Sequence, residues 1–124
     1  MRSIVAAVAA GIAGTVVNAF AVAAVVSTDK LSLALVPGRY AIGIALCLVL
    51  PLLHSVLSVR AFYAFAAAFL TLGASLLAKF VFLATAPWGA VLGFNLVYAL
   101  AAIVVFRAIA GPAAAKVELV KARD

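Results

Sequence analysis

Four long apolar runs dominate this sequence and decide what it can fold into. They cover residues 4–26, 40–59, 62–85 and 88–109. Each run approaches the roughly 20 residues that a helix needs to cross the hydrocarbon core of a bilayer. Helices are the expected form, because an open strand would leave its backbone groups unpaired in lipid. We therefore predict an all-α fold, an integral membrane bundle of four transmembrane helices.

The composition excludes the usual classes of soluble protein. Of the 124 residues, 70% are hydrophobic and 10% are charged, whereas a soluble domain is about half apolar and about a quarter charged. A single core of this size cannot hide so much apolar surface from water. Disordered chains are poor in hydrophobic residues, and a disulfide scaffold needs more than the single Cys47. Lipid is the expected solvent for most of the chain.

The domain organisation follows from these runs. We predict one four-span domain over residues 1–112 and a basic cytoplasmic tail over 113–124. Arg2 precedes the first run, which could be a secretory signal, but its apolar core is longer than the usual 7–15 or so residues. We expect this helix to be retained. Short links at Arg60 and at residues 86–87 require the last three spans to be antiparallel neighbours.

The distribution of basic residues predicts the orientation. With both termini inside, the cytoplasmic side receives six of the 9 lysines and arginines: Arg2, Arg60, Arg107, Lys116, Lys121 and Arg123. The outer side receives Lys30, Arg39 and Lys79. Cytoplasmic segments carry the excess of positive charge. We therefore expect both termini in the cytoplasm and the chain in a bacterial-type inner membrane.

One polar side chain in each span defines a candidate polar layer. Its members are Asn18, Cys47, Ser75 and Asn95. At about 1.5 Å per residue, all of them lie roughly 10–15 Å below the outer boundary. They are a candidate pathway, but hydrogen bonding between helices is the favoured interpretation, because uncharged polar groups in membrane helices commonly bond to a neighbour.

The second span has a second candidate site on one helical face. Its polar or functional members are Tyr40, Cys47, Pro51, His54 and Ser58. Pro51 cannot donate a hydrogen bond to the Cys47 carbonyl, which predicts a kink. His54 could titrate near neutral pH or bind a metal. We favour a hydrogen-bonded packing role, because the spans contain no second histidine and no carboxylate.

Basic residues near the span ends are candidates for contact with headgroups or anions. They are Arg39, Arg60, Lys79 and Arg107. Lys79 could line a vestibule for an anion, but its stem can also reach the headgroups from its position near the outer end. Arg107 lies in the last turn of the fourth span, where a cation complements the helix dipole.

Small residues predict where the helices pack. The candidate packing glycines are Gly11, Gly14, Gly43, Gly73, Gly89 and Gly93. Gly89 and Gly93 form a GxxxG pair, for which packing within the monomer is favoured over a dimer contact. In the third span, we expect the small residues that include Ala64 and Ala68 to face other helices. The bulky face that begins at Phe62 is expected to meet acyl chains.

Several functional classes lack the residues they require. All three acidic residues, Asp29, Glu118 and Asp124, lie outside the runs, so no span offers the carboxylate on which proton-coupled exporters generally depend. The chain has no paired carboxylates, no metal-binding cluster and no glycine-rich phosphate loop. The basic tail has no aromatic residue to stack on bases. We expect no enzymatic activity, no cofactor, no metal and no nucleic-acid partner.

Two functional hypotheses remain. The favoured one is a non-enzymatic accessory or scaffold subunit that packs against membrane lipids or a larger membrane complex. The alternative is a small channel or carrier for a small solute or lipid-like molecule. It would work as a homodimer, because four short helices enclose little space.

Overall fold

The chain folds into helices throughout the part that the structure, a computed structural model, describes: residues 2–26, 37–81 and 87–111. No strand occurs in these ranges, which confirms the all-α prediction. The elements are α1 (Arg2–Val26), α2 (Pro37–Cys47), α3 (Leu50–Val56), α4 (Val59–Leu76), a π-helical turn (Leu77–Val81) and α5 (Trp88–Ala110).

Four helical segments of the described chain are long and apolar enough to cross a membrane. Their bounds are Arg2–Ala24, Pro37–Val56, Val59–Val81 and Trp88–Ala110. The second comprises α2 and α3, and the third comprises α4 and the π-helical turn. These segments indicate a multi-pass membrane protein. The link that carries Lys30 and the predicted tail at 113–124 lie outside the described residues.

The second span is interrupted near its middle. α2 ends at Cys47 and α3 begins at Leu50, with Pro51 in the first turn of α3. Pro51 has no N–H, so the Cys47 carbonyl lacks its usual helical donor. Leu48 still donates to the carbonyl of Ile44, four residues earlier, at 3.0 Å. Val49 donates only to the carbonyl of Leu46, three residues earlier, at the longer distance of 3.4 Å. The two residues between the helices form a turn.

The link between the second and third spans lies earlier than the sequence indicates. Ser58 occupies the N-cap of α4, and its hydroxyl accepts a hydrogen bond from the Ala61 N–H at 3.4 Å. A serine at this position satisfies one of the free donors of the first helical turn. Ser58 is therefore an exposed cap outside the second span, and Arg60 lies inside α4. The predicted link at Arg60 is wrong by two residues.

The helices pack in a ring in which α1 contacts mainly α5 and α2. α4 contacts mainly α5 and makes smaller contacts with α2 and α3. Small side chains supply much of what α1 and α5 bury; their fully buried alanines are Ala6, Ala7, Ala10, Ala19, Ala99 and Ala102. Such small side chains let two backbones approach closely in lipid.

Glycines determine how closely α1 and α2 approach. A Cβ added to Gly11 would lie 2.5 Å from the Cα of Ile44. A Cβ on Gly43 would collide with the hydroxyl of Thr15, and that hydroxyl donates to the Gly11 carbonyl at 2.7 Å. Neither position of this crossing has room for a side chain.

Two further glycines lie at helix contacts. A Cβ on Gly14 would lie 2.7 Å from a ring carbon of Tyr98, on the α5 side of α1. A Cβ on Gly73 would lie 3.3 Å from a methyl group of Leu46, where α4 meets α2. The space at Gly73 is therefore tight but less restricted than at Gly14.

Gly89 and Gly93 lie on an open surface. A Cβ built on either would meet nothing within 4 Å in the described part of the chain, and both residues are exposed. The favoured interpretation of this GxxxG pair is packing within the monomer, but the described residues provide no helix contact at either glycine.

α4 presents a different face to the bundle from the one predicted. Phe62 is fully buried, together with Ala66 and Leu70, whereas Ala64 and Ala68 are exposed. The prediction for Phe62 is therefore wrong. Its ring packs between two others, 5.6 Å from the centroid of His54 and 5.8 Å from that of Phe106. The remaining bulky residues are exposed as expected: Phe65, Phe69, Leu72, Leu76 and Phe80.

Candidate functional site

Asn18 joins three helices in the half of the bundle that contains the C-terminus of α1. Its amide Nδ2 donates to the carbonyl of Phe94 in α5 at 2.7 Å. Its Oδ1 accepts a hydrogen bond from Nη2 of Arg39 in α2. Asn18 is buried and Arg39 is half-buried. Arg39, a predicted headgroup contact, thus uses part of its guanidinium to cross-link α2 to α1.

Asn95 and Ser75 form a second, separate pair. The amide of Asn95 in α5 donates to the hydroxyl of Ser75 in α4 at 3.1 Å. Ser75 is completely buried. Burying either polar group in an apolar environment without the other as its hydrogen-bond partner would cost free energy. One turn earlier in α4, the hydroxyl of Thr71 is buried and has no partner among the described residues.

Cys47 belongs to a third group, whose central member is Tyr98. The Tyr98 hydroxyl donates to the carbonyl of Gly43 at 2.7 Å, and Sγ of Cys47 lies 3.3 Å from that hydroxyl oxygen. The phenolic hydrogen is committed to the carbonyl, so the thiol acts as the donor to the oxygen. Sequence reasoning missed Tyr98; the available signal was a lone hydroxyl-bearing ring within an otherwise apolar part of the fourth span.

The four members of the predicted polar layer are therefore divided among three groups. Asn18 bonds to α5 and α2, Asn95 bonds to Ser75, and Cys47 bonds to Tyr98. All four side chains have a partner on a neighbouring helix.

A cluster at the opposite end surrounds the C-terminus of α5. Nη1 of Arg107 donates to the carbonyl of Gly111 at 3.1 Å, and its Nε donates to the hydroxyl of Tyr63 at 3.2 Å. The Arg107 guanidinium also lies 5.6 Å from the centroid of the Tyr63 ring. Arg2 donates through Nε to the carbonyl of Ile109. Two arginines thus contact the last carbonyls of one helix, where cations are favoured.

His54 packs into the same cluster and is buried. Its Nε2 lies 3.2 Å from the Gly111 carbonyl and 3.3 Å from Nη1 of Arg107. A single ring nitrogen cannot donate to the carbonyl and accept from the guanidinium at once, so only one of these contacts is a hydrogen bond in either tautomer. Phe62 and Phe106 meet its ring edge to face, at 5.6 and 5.3 Å. These contacts are those of a packed, hydrogen-bonded histidine.

The five side chains of the predicted face of the second span differ in burial and in the groups they contact. Cys47 and His54 are buried and point to different clusters, whereas Tyr40 and Pro51 are half-buried and Ser58 lies in the turn. The structure does not bring these five side chains together.

The other predicted headgroup contacts lie near the surface. Lys79 is in the π-helical turn, with its ammonium 5.5 Å from the centroid of the Trp88 ring. Arg60 is exposed in the first turn of α4. Lys79 and Trp88 mark the end of the bundle that also contains Arg39, and Arg60 marks the end that contains Arg107.

Within the described ranges, no three His, Cys, Asp or Glu side chains form a group that could hold a metal ion. Comparison with protein-family models, with curated proteins and with solved structures returns no match.

Proposed function

We propose that this chain is a non-enzymatic accessory or scaffold subunit of a bacterial-type inner membrane, with its outer surface packed against lipid or a larger membrane complex. The pairing of the polar side chains between helices carries this proposal. A transport pathway needs polar groups that can exchange a protein partner for a solute. Asn18, Cys47, Ser75 and Asn95 are instead bonded to neighbouring helices.

An exposed face of α5 supports contact with another membrane helix. Gly89 and Gly93 begin this face, and Leu96 and Leu100 continue it at steps of three and four residues. Lipid gives apolar helices little reason to associate, so close backbone approach at small residues is a main source of affinity. The two glycines offer that approach to a partner helix.

Purification from native membranes in a mild detergent tests the proposal. We expect a tagged chain to recover one or more other membrane proteins in stoichiometric amounts, identified by mass spectrometry. Gly93→Leu should reduce that recovery, because it fills the open face without a clash inside the monomer. Ala64→Leu is the matched control, since it adds the same side chain to the exposed surface of α4. A clean monomer or homodimer without other proteins contradicts the accessory role.

The alternative is a small channel or carrier that works as a homodimer. The interruption of the second span favours it, because broken helices line substrate sites in many transporters. In reconstituted vesicles, Asn18→Ala and Asn95→Ala should then impair flux while the protein remains folded. If the wild type moves nothing across a broad set of solutes, this alternative fails.

A further inference from the structure

Two arginines from opposite ends of the sequence flank Gly111. Arg107 donates to its carbonyl at 3.1 Å. Nη2 of Arg2 lies 3.9 Å from the position that a Cβ on Gly111 would occupy, and Nε of Arg2 donates to the carbonyl of Ile109. Both guanidiniums are therefore held beside the same helix end.

Part of each guanidinium has no acceptor among the residues that the structure describes. Among the described residues, Arg2 bonds only through Nε, and Arg107 bonds through Nε and Nη1. Within these ranges, the Nη groups of Arg2 and Nη2 of Arg107 donate no hydrogen bond. No Asp or Glu occurs in the described ranges, so no carboxylate there balances the two positive charges. Planar guanidiniums are well suited to bind the oxygens of a phosphate, often through two bonds at once.

We propose that Arg2 and Arg107 bind the phosphate group of an anionic phospholipid. Both residues lie at the ends of membrane-spanning segments, where headgroups are located. Tyr63 is a positioning residue, because its hydroxyl and ring hold the Arg107 side chain. The Gly111 carbonyl holds the same guanidinium from the other side.

The apolar surface below the two arginines favours a lipid over free phosphate. Ile4 and Val5 follow Arg2 in α1 and are 57% exposed, and Val104 precedes Arg107 by one turn in α5 and is 68% exposed. A phospholipid bound through its phosphate would lay its acyl chains on these side chains. Basic pockets between membrane helices are known to bind anionic headgroups in this way. This inference is independent of the proposed scaffold role, since it requires no partner protein.

Native mass spectrometry in an uncharged detergent, with added phosphatidylglycerol or phosphatidylcholine, tests the site. We expect the wild type to retain phosphatidylglycerol preferentially. Arg2→Gln should weaken this binding about fivefold, and Arg2→Gln combined with Arg107→Gln about twenty-fivefold. Arg2→Gln is the more informative of the two substitutions. Arg2 is exposed and makes one hydrogen bond to the described residues, so replacing it leaves the core intact.

Arg60→Gln is the matched control. It removes the same charge from the same end of the bundle, but Arg60 is exposed and its side chain forms no hydrogen bond with another described residue. We expect its affinity for phosphatidylglycerol to stay within about twofold of the wild type, because only a diffuse surface potential is altered. An equal loss in Arg60→Gln and Arg2→Gln, or no preference in the wild type, overturns the proposal.

Inorganic phosphate distinguishes the two sources of the ligand. We expect millimolar phosphate to leave the bound phosphatidylglycerol in place, because it gains nothing from the apolar surface. If phosphate displaces the lipid and Arg2→Gln abolishes phosphate binding, the site takes the free anion and the lipid assignment is wrong.

Discussion

Gly11 and Ile44 lie at the closest crossing between α1 and α2: a Cβ on Gly11 would stand 2.5 Å from the Cα of Ile44. The obstacle is backbone, which cannot rotate away as a side chain can. The packing of the first two spans therefore depends on the absence of a single methyl group.

Gly11→Ala should destabilise the bundle by about 1–3 kcal/mol, because the added methyl group forces α1 and α2 apart. Reversible unfolding in mixed micelles with increasing sodium dodecyl sulfate measures this change. Gly89→Ala is the control, since a Cβ there meets nothing within 4 Å. Its free energy of unfolding should change by no more than about 1 kcal/mol, in the direction of greater stability. Equal losses in both variants would contradict the close crossing.

The hydrogen bond between Asn95 and Ser75 should contribute a measurable coupling energy. In a double-mutant cycle with Asn95→Ala and Ser75→Ala, we expect about 0.6 kcal/mol, the average for such bonds in membrane proteins. Ser55 provides the control pair, because its hydroxyl bonds to a carbonyl of its own helix. Asn95→Ala and Ser55→Ala should be additive within about 0.5 kcal/mol. Additivity in the first pair as well would exclude the bond.

Tyr98→Phe should affect both stability and the thiol of Cys47. Loss of the hydroxyl removes the bond to the Gly43 carbonyl, for an expected cost of about 1 kcal/mol. It also removes the acceptor of the thiol, so the S–H stretching band in the infrared should move to higher frequency. The chain has 1 cysteine, so the band has one source. Tyr63→Phe should leave this band unchanged, because Tyr63 bonds to Arg107 instead.

Reporter fusions test the predicted orientation. A green fluorescent protein fused after the last residue should fluoresce, and alkaline phosphatase at the same site should be inactive, because we expect this end in the cytoplasm. Alkaline phosphatase fused within the link at residues 27–36 should be active. The reverse pattern would invert the bundle and place Arg2 and Arg107 at the outer surface.

The spans themselves follow from the sequence because length and hydropathy alone decide whether a helix can cross a bilayer. The boundaries depend on local chemistry, and Ser58 illustrates the difference. Its hydroxyl looks like one more polar group on a helical face, but the same hydroxyl can cap the next helix. Helical spacing from Tyr40 and Cys47 favours a place on the polar face, but the hydrogen bond from the Ala61 N–H shows that Ser58 caps the next helix.

The side-chain pairs could be predicted only in part. Depth along a helix brings Asn18, Ser75 and Asn95 within reach of neighbouring helices, but rotation about the helix axis decides which residue each of them bonds to. Phe62 shows how large that effect is. In isolation it belongs to a bulky, lipid-facing row, yet the rings of His54 and Phe106 provide a site for it inside the bundle. That site exists only once three helices have met.

The turn at Leu48 and Val49 separates the second span into two pieces with different attachments. α2 contacts α1 through Gly11 and Gly43 and is bonded to α5 through Tyr98, whereas α3 contacts α4 and α5 through the ring of His54. Pro51 donates no helical hydrogen bond to the Cys47 carbonyl, so a bend there breaks no bond at that carbonyl. The turn lies near the middle of a segment that is long and apolar enough to cross a membrane, and we expect the span to bend there. We therefore expect a force on one half of this span to bend the chain at the turn, while the other half keeps its packing.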